Sequence, residues 1–192
     1  MIGCLAMALC ARTWATVIDT YPDWDGNVTL DYVQVAQSFL APSDNILSSW
    51  QFTLAPAAGP TNVLFEIVPW NATSGPSGGP LFSRTVGWAA TGGDVLVTNI
   101  NLALTPGSRY AALVDLNGYA GQSLNFQFNQ NSYNLGSGAW LGGSPPSWKY
   151  LNGTYNTEFR AVFSPVPEPT GVFFLGIAGA ALFLWQISRR RS

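Results

Sequence analysis

The side chains able to carry chemistry are few, and the absent ones decide more than those present. The chain has 192 residues, no histidine and two cysteines. Both cysteines, Cys4 and Cys10, lie within the first ten positions. This removes Ser-His-Asp and Cys-His nucleophiles, zinc sites built on imidazole or thiolate, and the commonest general base. Carboxylate chemistry survives. A glycosidase needs two carboxyl groups about 5 to 9.5 Å apart across the scissile bond, and Asp31, Glu66, Asp115 and Glu158 fall within or beside expected strands. Nothing in their sequence spacing pairs them, so structural ion pairs or strand-end positions account for them better and the chain reads as non-enzymatic. Asp19, Asp23 and Asp25 crowd one turn with Asn27, and hard oxygen ligands at such spacing can hold calcium. The same residues also cap turns through their own side chains. No other cofactor is implied.

Aromatic residues are the remaining candidates. Trp50 sits in strand register and reads as core, whereas Trp24, Trp70, Trp88, Trp140 and Trp148 border loops rich in glycine and proline. The stretch from Tyr133 to Tyr155 holds Tyr133, Trp140, Trp148, Tyr150 and Tyr155 in a segment rich in Gly, Ser and Asn. Aromatic faces stack on sugar rings and side-chain amides bond hydroxyls, so two or three of these rings in one plane, with Asn152 and Asn156 beside them, would form a glycan-binding face on a loop. The alternative is a loop held to the domain by its own aromatics. Asn27, Asn71 and Asn152 each open an Asn-x-Ser/Thr sequon, a eukaryotic glycosylation pattern.

The elements that must position these residues are β-strands. From Trp14 onward apolar and polar residues alternate in short runs separated by Gly, Pro, Asn and Asp. Val33, Val35, Gln37 and Phe39 share one face, Trp50, Phe52 and Leu54 another, and Val63, Phe65 and Ile67 a third. Leu81 to Ala89 and Val95 to Leu104 read as a hairpin, with Leu96, Thr98, Ile100, Leu102 and Leu104 on one face. Tyr110, Ala112, Val114 and Leu116 follow, then Leu124, Phe126 and Phe128, and finally Phe159, Ala161 and Phe163. Nine or ten strands with no convincing helix before Thr170 predict an all-β fold, an antiparallel two-sheet sandwich of jelly-roll type. Residues 16 to 164 are enough for one such domain.

Charged residues make up only 9% of the chain, against about 25% in a typical soluble protein, so Asn, Ser, Thr, Gly and Gln must cover the surface. The net charge is −2, and the one basic cluster lies at the C-terminus, which leaves the domain no footprint for nucleic acid. Residues 1 to 15 read as a signal peptide: the apolar stretch Ile2 to Ala11 forms its core and Thr13-Trp14-Ala15 allows cleavage after Ala15. No Lys or Arg precedes that core, which suits a leader starting further upstream.

The other end carries an apolar run from Thr170 to Ile187. As a helix these residues span about 27 Å, close to the ~30 Å hydrocarbon core of a bilayer. Arg189, Arg190 and Arg191 follow and mark the cytoplasmic end. Val166-Pro167-Glu168-Pro169, a single helix and a terminal arginine cluster, in that order, resemble the PEP-CTERM sorting signal of Gram-negative bacterial surface proteins. The resemblance implies recognition by an exosortase that removes the anchor, residues 165 to 192, after transient residence in the inner membrane. Gln37-Ser38-Phe39, Trp70, Leu81-Phe82, Leu104-Thr105-Pro106-Gly107 and Gly138-Ala139-Trp140 further resemble the jelly-roll-like ectodomains attached to such anchors. The expectation is an exported, non-catalytic protein of the cell envelope or extracellular polysaccharide. A carbohydrate-binding module of the same fold is the alternative, and a carboxylate-based glycoside hydrolase the third reading.

Overall fold

A computed structural model describes residues 15–23, 27–28, 33–54, 56, 62–89, 91–116, 126–130, 133–144, 146–150 and 155–165. β1 (Thr16–Asp19) runs into a single 3-10 turn, Tyr21–Asp23, before the two-residue β2 (Asn27–Val28). β3 (Gln34–Leu40), β4 (Ile46–Leu54) and β5 (Asn62–Asn71) are long strands, and β6 (Gly75–Pro76) turns back on the end of β5. β7 (Phe82–Gly87), β8 (Gly93–Val97) and β9 (Leu102–Ala103) precede β10 (Arg109–Asp115). The chain then forms β11 (Gln127–Gln130), β12 (Gly138–Gly142), β13 (Ser147–Tyr150), β14 (Tyr155–Thr157) and β15 (Phe159–Ser164).

A five-stranded sheet has the order β1-β15-β4-β8, with β9 also on β4, and a seven-stranded sheet has the order β13-β12-β3-β10-β5-β6, with β7 also on β5. A third, three-stranded sheet has the order β14-β11-β2. All these pairings are antiparallel. The inward faces of the two large sheets share one core in which Phe39, Trp50, Phe52, Phe65, Phe159 and Phe163 are almost wholly buried. Trp50 stacks on Phe159 with centroids 4.7 Å apart and planes 4° from parallel, an aromatic pair worth about 0.5–1.5 kcal/mol beyond its burial. The described residues therefore form a β-sandwich-like, all-β antiparallel fold.

The predicted hairpin of Leu81–Ala89 with Val95–Leu104 does not form. β7 pairs with β5 in one sheet and β8 with β4 in the other, so the chain crosses the sandwich between them. Alternation fixes which face of a strand is buried and leaves its partner open. The crossing is held at its side by Arg84, which lies over the Phe82 ring at 5.0 Å and donates to Thr98 O at 2.6 Å. The expected face of Val95 to Leu104 is also inverted in its first half: Val95 and Val97 point inward while Leu96 is 57% exposed. Asn99 and Asn101 take left-handed φ values of 55° and 50°, which ends the strand and resets parity, so that Ile100 and Leu104 return to the core. Asn tolerates this region better than most residues.

The seven-stranded sheet curls over its own outer face. In a flat sheet β13 and β5 would stand on the order of 19 Å apart, four spacings of ~4.8 Å, yet the rings of Trp148 on β13 and Trp70 on β5 meet at 5.0 Å. The floor under them is small: Ala36, Ala111 and Ala139 are buried with Val68. Gly75 on β6, at φ +87°, completes the closure, because a Cβ there would come within 2.3 Å of Trp148 Cδ1. The Tyr150 hydroxyl donates to Asn71 O at 3.2 Å and ties β13 to the same corner.

No helix among the described residues is long and apolar enough to cross a membrane. The leader through Trp14, the segment Val166-Pro167-Glu168-Pro169, the expected helix 170–187 and Arg189–Arg191 lie outside the described residues.

Candidate functional site

The five aromatics expected to form a loop platform are not brought into one plane. The segment between Tyr133 and Tyr155 contains the β12–β13 hairpin, in which Trp140 stands opposite Lys149 and Trp148 opposite Leu141, so the two indoles lie on opposite faces. Tyr133, Trp140 and Tyr155 pack against the core between the sheets, while Trp148 and Tyr150 pack on the outer cluster around Trp70. Tyr133 meets Phe159 edge-on at 5.7 Å, and its hydroxyl accepts the Leu40 N–H at 3.0 Å. Burial pushes the Tyr133 phenol above its usual pKa, partly offset by that hydrogen bond and by Arg109. Tyr150 is raised for the same leading reason, with a backbone bond at Gly75 acting against it.

Asn156, expected beside the rings as a partner for sugar hydroxyls, is buried in a polar network instead. Its Oδ1 accepts from Gln37 Nε2 at 2.9 Å and its Nδ2 donates to Tyr133 O at 3.1 Å. Gln37 Oε1 in turn accepts from Thr157 N at 2.7 Å. Gln37, on the core-facing side of β3, is tolerated there because both ends of its amide are paired. Asn152 lies outside the described residues, as do Trp24 and Asp25. Asn71 is exposed and its Oδ1 accepts from Thr73 N, Thr73 Oγ1 and Ser74 N, the turn-capping use of an Asn side chain.

Of the carboxylates, Asp31 lies outside the described residues, but Glu66 and Asp115 are neighbours. Glu66 is opposite Leu113 and Asp115 opposite Leu64, a diagonal pair on one face of adjacent strands with Cβ atoms about 7 Å apart. The register supplies the pairing that sequence spacing does not. Each is engaged within the sheet: Asp115 is buried and accepts Gln34 Nε2 at 2.7 Å, and Glu66 accepts Ser83 Oγ at 3.2 Å. At the expected calcium turn, Asp19 caps Tyr21 N at 3.1 Å and lies 3.6 Å from Arg160 Nε. No group of three or more His, Cys, Asp or Glu that could hold a metal occurs among the described residues.

The sequence reading missed the outer face of the five-stranded sheet. There Ser49 faces Val162, and Gln51 stands between Arg160 and Leu96. These five side chains line a depression of about 190 Å³. Beside it Thr53 Oγ1 lies 2.6 Å from Asp94 Oδ1 and 2.9 Å from the Tyr21 hydroxyl. Gln51 Nε2 donates to the other oxygen of Asp94 at 2.9 Å. The Tyr21 phenol is driven far above its usual pKa, by burial first and by the charges of Asp94 and Glu158, against the hydrogen bonds of Thr53 and Gln51. The signal was present in β4, where Ser49, Gln51 and Thr53 alternate with Trp50, Phe52 and Leu54.

No family model matches the chain, and no curated protein matches it. Among solved structures it is similar to the clostridial cysteine protease Cwp84 after propeptide cleavage, with a TM-score of 0.55 and 12% identity over 79% of this chain and 40% of that one. A structure of the cysteine protease and lectin-like domains of Cwp84, a surface layer associated protein of Clostridium difficile, gives a TM-score of 0.49 and 14% identity over 70% of this chain. The chain thus spans about two fifths of the length of the first and 32% of the second. At 12% identity the likeness to the first is one of fold alone.

Proposed function

We propose that this is an exported protein, sorted to the cell surface or extracellular matrix by an exosortase-type C-terminal signal, whose residues 16–164 form a non-catalytic sandwich of jelly-roll type. The supporting observation is the pairing of the first and last described strands, Thr16–Asp19 with Phe159–Ser164, which in sequence adjoin the expected end of the leader at Ala15 and the start of the sorting tetrapeptide at Val166. Thr16 and Phe163 are register partners, so the residues next to the two expected targeting segments lie side by side in one sheet. The test is fractionation of the full chain in a host that carries the enzyme. Changing Pro167, Glu168 and Pro169 together to alanine should trap an uncleaved form in the inner membrane; wild-type protein that also stays there intact would refute the sorting.

A second reading, a carbohydrate-binding module of the same fold, is favoured by the open polar face of the five-stranded sheet rather than by the aromatic hairpin.

A further inference from the structure

We propose that the depression lined by Ser49, Gln51, Leu96, Arg160 and Val162 is a subsite for one ring of a neutral polysaccharide. This assignment rests on the reading of the sandwich as a carbohydrate-binding module and gives that module a place and a ligand class.

The five residues come from three adjacent strands. Val162 pairs with Ser49 and Arg160 with Gln51, which pairs on its other side with Leu96. They form a patch three strands wide and two rows deep on one face. The β4–β15 ladder shifts register between Val162 and Phe163, so a bulge lies at one edge of the depression. Bulges re-aim neighbouring side chains and are found beside binding sites.

Two of its polar side chains, Gln51 and Arg160, are held in place before any ligand arrives. Gln51 is fixed through Nε2 on Asp94, Asp94 is fixed by Thr53, and Thr53 is fixed by Tyr21. Arg160 is engaged through Nε by Asp19, which is itself tied to Tyr21 N. The face therefore offers an amide oxygen from Gln51 and terminal guanidinium donors from Arg160, two side chains held by a second layer of bonds, together with a hydroxyl from Ser49. Leu96, 57% exposed, and Val162 supply apolar surface for the C–H face of a ring. Donors, an acceptor and an apolar wall within one concavity match a pyranose.

Size and charge narrow the class. About 190 Å³ lies below the ~300 Å³ of sites that enclose a drug-sized ligand, which suits one ring of a chain lying across the sheet. Arg160 carries one positive charge, whereas Asp19 on Arg160 and Asp94 on Gln51 carry two negative ones, so a polyanion gains nothing here. The face is also open at Leu96, whereas the part of the opposite sheet's outer face around Trp70 is covered by the β12–β13 hairpin.

The experiment uses the full chain in detergent micelles, run through gels containing a neutral glucan, xylan or alginate. Retardation by a neutral polymer is expected, and Gln51→Ala and Leu96→Ser should each weaken it by about tenfold, the loss of roughly one good contact. Lys149→Ala, on the exposed edge of β13, should leave it unchanged. Melting curves on each variant verify folding, and Leu96→Ser decides the matter if Gln51→Ala unfolds. Retardation that survives both variants would overturn the subsite while leaving the module reading standing. Stronger retardation by alginate would overturn the neutral class. Wild-type protein unretarded by every polymer would overturn subsite and module together.

Discussion

On the outer face of the seven-stranded sheet the side chains in contact are Ala36, Val68, Ala111, Ala139 and Trp70; on the outer face of the five-stranded sheet they are Gln51, Thr53, Asp94, Arg160 and Asp19. The first set loses by meeting water and has been covered by the sheet's own edge hairpin, with Trp148 and Tyr150 as the lid. The second set, in which only Thr53 is buried, is hydrogen-bonded and otherwise stays open. Burying apolar surface yields ~25 cal/mol per Å², and the small floor lets the hairpin come close enough to collect it. Large aromatics in a glycine-rich segment therefore mark the cover of a sheet here, and the candidate for recognition moves to a face lined by Ser49, Gln51, Leu96, Arg160 and Val162.

The contrast predicts graded responses. Trp70→Ala should cost the most, about 3–5 kcal/mol, because Trp70 is 4% exposed and anchors the rings of both Trp148 and Tyr150; chemical denaturation measures it, and a loss below 1 kcal/mol would mean the outer cluster is not a core. Gly75→Ala should cost about 1–3 kcal/mol, since the new methyl needs the space of Trp148 Cδ1 at a left-handed φ. A red shift in tryptophan emission should accompany it as Trp148 lifts from the corner.

Alkali should act next. Tyr21, Tyr133 and Tyr150 all have raised phenol pKa values, so the folded state holds these protons more tightly than the unfolded chain. Their contribution is complete below the ordinary phenol pKa of about 10 and is lost as pH rises from there through the folded values. Tyr21→Phe should remove more of this dependence than Tyr150→Phe, which places the alkaline sensitivity on the open face rather than in the lid. Smallest of all, Leu96→Ser should change stability by no more than about 0.5 kcal/mol. A larger change would show that the open face is packed against something, and the contrast between the two sheets would fail.

The inward faces were legible because their alternation is unbroken. Trp50-Phe52-Leu54, Val63-Phe65-Ile67, Tyr110-Ala112-Val114-Leu116 and Phe159-Ala161-Phe163 all reach the core as their spacing predicts. Strand partners were not legible, since period two is silent on who pairs with whom, and β7 and β8 went to different sheets. The parity change at Asn99 and Asn101 depends on backbone angles that Asn permits without demanding. Ala36, Ala111 and Ala139 gave no warning of a second buried layer, because alanine is equally at home on a covered or an open surface. The diagonal of Glu66 and Asp115 and the convergence of Gln51, Leu96 and Arg160 both arise from register between strands far apart in sequence.

The pairing of Thr16 with Phe163 also sets the order in which the molecule can be finished. β1 has β15 as its only ladder partner among the described strands, and β15 also separates β1 from β4. The first described strand must therefore wait for the last described one. Such long-range closure is slow, since loop entropy is lost before the contacts repay it. Arg160 and Val162 sit on that same strand, so the open polar face is assembled only when the C-terminal end of the sandwich arrives. Until then the five-stranded sheet lacks the strand that joins β1 to β4.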